Sequence, residues 1–396
     1  MTFRYAACAI AALSCCLVVL APFHLTASAG LAHPETPTRS LRPVQETPSE
    51  LYGAALQDLE KKNFAAAETK LRTLLKKNEL YQESSGRSAW HQLGLALERQ
   101  NKPTEAIEVL EKGYERLRAD GRQDWFLNYD LARLYAENRL VEKRKNITPL
   151  IYALLENSTP ADQPDLWQRI SDEMLILLKE PERSALQRTL FQPGSSAGAH
   201  LLAFLEREDP YPNTSQNEYL RLFFQRTTDA RHRFGDTRSK QGYDQRGEIY
   251  VRLGEPYTIV SSHSGVKGEL GWALHPYEVW FYSNIHPDLY YTFIMRRGDN
   301  RYTLVQGPES ILGTFYKGRR TFMNRVNVGE MALRLRNELY STLAGQHETF
   351  RRRLYDMSLQ PTVKDALEYA QRKFIQEDRQ HLARLDTLAP AVVGYE

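Results

Sequence analysis

Small residues recur at near-equal spacing through the first half of this 396-residue chain: Ala55, Gly94 and Ala132 lie 39 and 38 residues apart. Each sits among apolar residues at helical spacing. In "LYGAALQDLEKKNFAAAETKLRTLL", Leu51, Ala55 and Leu59 share one helix face. After a Lys-Lys-Asn turn, Phe64, Ala67, Leu71 and Leu74 share the next. "WHQLGLALERQNKPTEAIEVL" repeats the plan with Trp90, Leu93-Gly94, Leu97, Pro103, Ala106 and Leu110, and "NYDLARLYAENRL" fills the slots with Leu131-Ala132 and Tyr135. The pattern predicts paired helices over 49–190. Small residues let the two members of a pair approach, and each pair buries its stripe on the next. A plain helical bundle satisfies the same pattern, and in both cases these are packing positions.

The spacing resembles tetratricopeptide repeats, which place Trp, Leu-Gly and an aromatic on the first helix and Ala on the second. The resemblance covers about 100 residues. The periods here exceed the family's ~34 residues, and the third unit has Arg144 where the second-helix Ala belongs. The resemblance implies an α-solenoid whose concave side receives a peptide or protein partner.

Ahead of the repeats, Arg4 precedes an apolar run from Tyr5 to Leu25 and then Ala27-Ser28-Ala29. That order predicts a signal peptide over 1–29, cleaved after Ala29. The mature chain is then expected to be periplasmic or secreted, with no integral membrane span. All three cysteines (Cys8, Cys15, Cys16) lie in this segment, so removal leaves neither disulfides nor thiol chemistry. "AALSCC" fits a lipid-attachment box poorly. Residues 30–48, rich in Pro and Thr, read as a tether.

A net charge of +3 lacks the concentrated basic face that nucleic acid requires. One basic cluster (Arg296, Arg297, Arg301, Lys317, Arg319, Arg320, Arg325) reads as a solvated rim or, more sharply, an anion-binding patch.

The Gly- and Ser-rich "FQPGSSAGAH" (191–200) marks a hinge into a different module. There Ser215 and Glu218 are expected to form a capping box, opening a helix that carries Tyr219, Leu222, Phe223 and Phe234 and stops at Gly235. In "EIYVRLG", Ile249, Val251 and Leu253 alternate with Tyr250 and Arg252, which predicts a strand ended by Gly254 and Pro256. "PYEVWFY" predicts a second strand, and "LYYTFIMRRGDNRYTLVQG" two more around a turn. The Arg297-Gly298-Asp299 triplet is explained by that turn without an adhesion receptor.

Four strands with short links make an antiparallel meander. One aliphatic face is expected to pack on the capped helix. The other would collect Tyr250, Arg252, Glu278, Trp280 and Tyr282 toward a cleft, with Arg252 near Glu278. Such a face suits sugars, peptides or guanidinium groups; the same cross-strand pairs also occur because they stabilise sheets.

The succession "EREDPYPNTSQNEYLRLFFQR", "GYDQRGEIYVRLGEP" and "HPYEVWFY" resembles the GWxTD-motif domain of bacterial secreted proteins, over roughly 200–305. Gly242, Asp244, Arg246, Gly247, Gly254 and Pro256 fall on its pattern, as do Tyr250, Glu278, Trp280 and Tyr282. The motif's Trp and Thr are missing, so their role is not carried over. The resemblance implies no established activity.

Reaction motifs are absent: there is no Gly-x-Ser-x-Gly elbow, His-Glu-x-x-His helix or phosphate-binding glycine loop. His232, His263, His275 and His286 lack ligand-type spacing, so neither metal nor cofactor is expected. "SSHSG" (261–265) reads as a polar loop. Asn146, Asn157 and Asn213 head glycosylation sequons that matter only in a glycosylating host.

Residues 329–388 return to helix, with Val363, Ala366, Leu367, Ala370 and Phe374 in one stripe, and Val392-Val393 reads as the start of an unpartnered strand. The expected fold is α+β: helical repeats over 49–190, an α+β module over 200–325 and a helical segment over 326–396. The expected role is a non-enzymatic interaction protein of the cell envelope. The alternative is an envelope hydrolase or carbohydrate-binding module working through the polar-aromatic sheet face.

Overall fold

The computed structural model describes residues 46–262, 274–296, 298–312 and 328–389. The expected signal segment, nearly all of the tether, the cysteines, His263, Val392-Val393 and most of the 296–325 basic cluster lie outside them. Among the described residues there are fourteen α-helices and one four-stranded sheet, an α+β fold.

The expected helix pairs form. They run α1 (Pro48–Glu60), α2 (Phe64–Lys77), α3 (Ala89–Arg99), α4 (Pro103–Ala119), α5 (Trp125–Glu137) and α6 (Ile147–Asn157). Local chemistry fixes their starts. Thr47 and Glu50 make a reciprocal capping box with Pro48 at the first helical position. Asp124 does two jobs: Oδ1 accepts from Leu127 N at 3.1 Å to cap α5, and Oδ2 accepts from Ser88 N at 2.7 Å, tying the starts of α3 and α5 together.

Gly94 and Gly113 set how closely α3 and α4 cross. A Cβ on either would stand 2.5 Å from Leu110 or Trp90 respectively, a distance no side chain tolerates. Arg144 falls in a short 3-10 turn before α6, off the second-helix slot.

The helices α7 (Pro164–Met174), α8 (Glu182–Thr189) and α9 (Ala197–Arg207) follow. α9 packs back on α6, where a Cβ on Gly198 would stand 2.1 Å from Leu155 O. One buried cluster runs from Leu51 through α9 to Tyr302, so the core continues across the 191–200 stretch.

Next come α10 (Glu218–Arg233) and α11 (Gln245–Leu253). The cap of α10 is Asn217, not a Ser215/Glu218 box. Its Oδ1 accepts from Leu220 N at 2.7 Å while its Nδ2 donates to Leu205 O at 2.6 Å. An amide serves both a helix start and the preceding helix's end, which a Ser hydroxyl at 215 cannot reach.

The larger correction is α11. Residues 249–253 are helical, not a strand. Asp244 caps the helix, with Oδ1 accepting from Arg246 N at 2.9 Å, and Gly254 stops it at φ +77. The apparent period of two spanned only five residues. Ile249, Tyr250, Val251 and Leu253 are all buried because neighbours cover α11 on two sides, which erases the difference between its faces.

The sheet is nevertheless a four-stranded antiparallel meander in the order β1 (Thr258–Ser262), β2 (Tyr277–Phe281), β3 (Tyr290–Met295) and β4 (Tyr302–Val305). Its first strand begins after Pro256, not before it. α12 (Val328–Ala344), α13 (Glu348–Ser358) and α14 (Val363–Leu388) complete the fold.

Tyr277, Val279, Phe281, Tyr290 and Ile294 pack on these C-terminal helices through Leu339, Tyr340, Phe350 and Phe374. The opposite face, Trp280, Tyr282, Tyr291 and Phe293, packs toward α10 and α11. The expected polarity of the layer is therefore reversed. The face with Trp280 and Tyr282 meets the capped helix, and the face with Tyr277, Val279 and Phe281, expected there, is covered by α12, α13 and α14.

Candidate functional site

The residues expected to line an open sheet face are placed as follows. Tyr250 and Arg252 sit on α11, off the sheet. Glu278, Trp280 and Tyr282 are on or beside β2, and all three are buried, Trp280 and Tyr282 completely. The predicted Arg252–Glu278 pair does not form. Arg252 Nη2 bonds Asp386 Oδ1 at 3.0 Å, and Glu278 Oε1 accepts from Arg246 Nη1 at 2.7 Å. Covered by α11, the face presents no surface to a sugar or peptide.

What the structure does assemble there is a structural lock from the motif positions. Arg246 also donates to Asp244 Oδ2 at 2.8 Å and lies 3.9 Å over the Tyr302 ring. Glu278 Oε2 accepts from Trp280 Nε1 at 2.8 Å, so both of its oxygens are satisfied. Gly247 leaves room for the Tyr243 ring, which a Cβ would approach to 2.5 Å, and Gly254 O accepts from Tyr282 OH at 3.0 Å. Gly242 takes φ +86 in the turn before α11, and its carbonyl accepts from Asp236 N at 3.0 Å. Pro256 is buried between α11 and β1. These residues hold α11 to the sheet.

A second charged cluster, not singled out from the sequence, lines a cleft of about 950 Å³ between α3, α5, α7, α10 and the turn at 240–242. Its floor is Asp130, only 1% exposed. Asp130 accepts from His91 Nε2 at 2.9 Å, Arg133 Nε at 3.0 Å and Arg169 Nη2 at 2.9 Å. The carboxylate can only accept, which assigns the Nε2 proton to His91.

Arg133 in turn grips Glu98 with both terminal nitrogens (2.7 and 2.9 Å) and Glu137 at 2.7 Å. Arg169 Nε reaches Glu173 Oε1 at 3.0 Å, while Tyr129 OH donates to Glu173 Oε2 at 3.0 Å. Arg231 on α10 closes the network. It lies 3.2 Å from Glu173, and its Nε donates to Gln241 O at 3.0 Å.

Electrostatics keeps this floor ionised. Burial alone would raise the Asp130 carboxyl, but Arg169 and Arg133, with His91, hold it well below the usual carboxylate range. Burial acts likewise on Glu173 and is overcome by Arg169 and Arg231. The Tyr129 hydroxyl is pushed well up by burial and by Glu173, so it stays a donor.

The rim is different in character. Lys240, Arg99 and His232 are exposed, Arg87 bonds the exposed Asp165 at 3.0 Å, and Arg87 stacks 4.1 Å over Phe126. A rigid floor of satisfied ion pairs under a polar, largely cationic rim is suited to holding an extended chain.

The sequence did carry a signal for this cluster. Asp130, Arg133 and Glu137 fall at i, i+3 and i+7 inside a helix otherwise apolar or aromatic apart from Asn128, and Arg169 and Glu173 at i and i+4. Charges recurring on one face among packing residues mark a buried network when several helices carry them.

Among the described residues no group of three His, Cys, Asp or Glu is placed to hold a metal ion, and no helix is long and apolar enough to cross a membrane. Compared with known proteins, the chain matches no protein-family model, no curated protein and no solved structure.

Proposed function

We propose that this protein is a secreted or periplasmic, non-enzymatic interaction protein. In this reading the helix pairs are a tetratricopeptide-like solenoid, followed by a GWxTD-like module. The cleft between α3, α5, α7 and α10 binds an extended peptide or a protein segment. One observation carries the reading: helices from the repeat half and α10 from the following module share a cleft whose floor is already braced by Asp130, Arg133, Arg169, Glu173 and Arg231. Preorganised walls lower the ordering cost of binding. The signal-like N-terminus supports the location.

The test is site-specific photo-crosslinking in the producing cells. A crosslinker replacing Arg99 or Lys240 on the rim is expected to capture one discrete partner, and one replacing Lys364, exposed on α14, is expected not to. Equal capture at all three positions, or none at the rim, overturns the proposal.

A further inference from the structure

The two edges of the sheet are finished differently. On β2 the even-numbered residues turn their backbone groups to β3: Tyr282 N donates to Leu289 O at 2.9 Å, and Pro276 O accepts from Met295 N at 2.8 Å. The odd-numbered residues Tyr277, Val279 and Phe281 therefore face β1, where their partners are Ser262, Val260 and Thr258. Ile259 and Ser261 are left to direct their N–H and C=O groups away from the sheet. The same alternation at the far edge turns Tyr302 and Leu304 outward on β4.

There the outward donors are capped by side chains. Tyr302 N is held by Asp244 Oδ2 at 3.2 Å and Leu304 N by Gln245 Oε1 at 2.7 Å. On β1, among the described residues, no side chain or backbone group takes the outward groups of Ile259 and Ser261. Nor does the strand carry a feature that blunts an edge. "TIVSS" has no charge, proline or glycine, and Ile259 and the adjacent Tyr257 are 39% and 70% exposed.

We propose that β1 pairs edge to edge with β1 of a second copy of this chain, making an eight-stranded sheet across a two-fold axis. A two-fold perpendicular to the sheet makes the joined edges antiparallel, as the rest of the sheet is. With Val260 at the axis, Ile259 meets Ser261 of the second copy and Ser261 meets Ile259. That register satisfies every outward backbone group of both residues and sets a large side chain opposite a small one twice. A strand without charge meets its own copy with no like-charge repulsion. The surface lies apart from the α3/α5/α7/α10 cleft, so the inference stands independently of the function proposed above.

Sedimentation velocity of the purified protein over a wide concentration range tests it. The wild type is expected to shift from monomer to dimer. Ser261→Pro deletes an N–H that faces away from β2, and proline is tolerated on an edge strand. It is expected to weaken association at least about tenfold while leaving the far-UV spectrum unchanged, and the Tm unchanged at concentrations where both proteins are monomeric. Ile259→Lys alters a side chain that is already exposed and sets two ammonium groups as diagonal neighbours across the axis. It is expected to weaken the dimer most at low salt, and it decides the question if Ser261→Pro fails to fold. A wild type that stays monomeric at every concentration overturns the proposal and leaves the edge to a foreign strand. Dimerisation of the folded variants as strong as that of wild type also overturns it.

Discussion

Arg246 on α11 and Glu278 on β2, 2.7 Å apart, form the buried ion pair that fixes the helix to the sheet. Both side chains are largely out of water, and Asp244, Trp280 and Tyr302 complete their environment. A buried pair adds modest net stability over a hydrophobic replacement, but breaking one strands a charge. Arg246→Met is therefore expected to cost ~3–5 kcal/mol in urea unfolding. Glu278→Gln keeps one oxygen for Arg246 but turns its amide NH2 toward the Trp280 indole N–H, so it also loses stability while sparing the Arg246 contact, and should cost less than Arg246→Met. An Arg246→Met variant as stable as wild type would mean that the guanidinium serves by packing alone.

Gly254 is constrained in two ways at once. Its backbone sits at φ +77 and ψ −154, a region essentially reserved for glycine, and a Cβ there would meet Arg226 Nη2 at 2.7 Å. Its carbonyl also receives the Tyr282 hydroxyl. Gly254→Ala is expected to lower stability by about 1–3 kcal/mol, and Tyr282→Phe by ~1 kcal/mol. Thermal unfolding of the two variants and their double mutant is the check; sub-additive losses would place both changes in one contact.

Helix positions were legible where one face is buried and the other wet. Leu51, Ala55, Leu71, Gly94 and Leu110 fall where the 3.6-residue period puts them, and each is a contact between neighbouring helices. Strands β2 and β3 are buried on both faces, so they and β4 were legible instead as short aromatic and β-branched runs bounded by turn residues. The reading failed at α11, where burial on both sides removed the periodic contrast, leaving the Asp244 cap and the Gly254 stop as the informative residues. It failed again for Glu278 and Trp280. A Glu beside aromatic residues reads as an exposed polar face unless its partner is known, and Arg246 lies 32 residues away. The cleft floor depends on contacts such as Asp130–Arg169 and His91–Asp130, each 39 residues apart, beyond the reach of any local pattern.

Asp130 predicts an acid limb. Its folded-state carboxyl titrates well below the ordinary value, so the unfolded chain binds the extra proton in acid. Its contribution is complete above the unfolded value of 3.8 and is lost as pH falls through the depressed folded one. Asp130→Asn, which leaves Arg133 and Arg169 short of a charge partner, is expected to cost about 3 kcal/mol at neutral pH. Its stability should also fall less steeply than that of wild type below about pH 4. Parallel acid limbs in the two proteins would remove Asp130 from the account.

On α14 a buried carboxyl and a half-buried imidazole pull the opposite way in one pH window. Burial pushes Asp378 up to about 6 against the pull of Arg353, whose Nη2 is 2.7 Å away, and the nearby Glu309 carboxylate adds to the rise. Its stabilising share is full below the unfolded 3.8 and is lost as pH rises through about 6. Burial brings His381, stacked at 3.8 Å on Tyr290 with its Nε2 on Tyr290 O, down to about 4 from 6.5. Its share is full above 6.5 and is lost as pH falls toward about 4. His347, also lowered by burial though opposed by Asp288, acts in the same sense as His381. Between about pH 4 and 6 the carboxylate and imidazole slopes therefore offset each other. Removing either member exposes the other. Asp378→Asn should make stability climb more steeply with pH across this window, and His381→Gln should flatten it or turn it downward. Urea titrations at half-unit pH steps read both slopes, and identical slopes in the two variants would contradict the assignment of opposite protonation to Asp378 and His381.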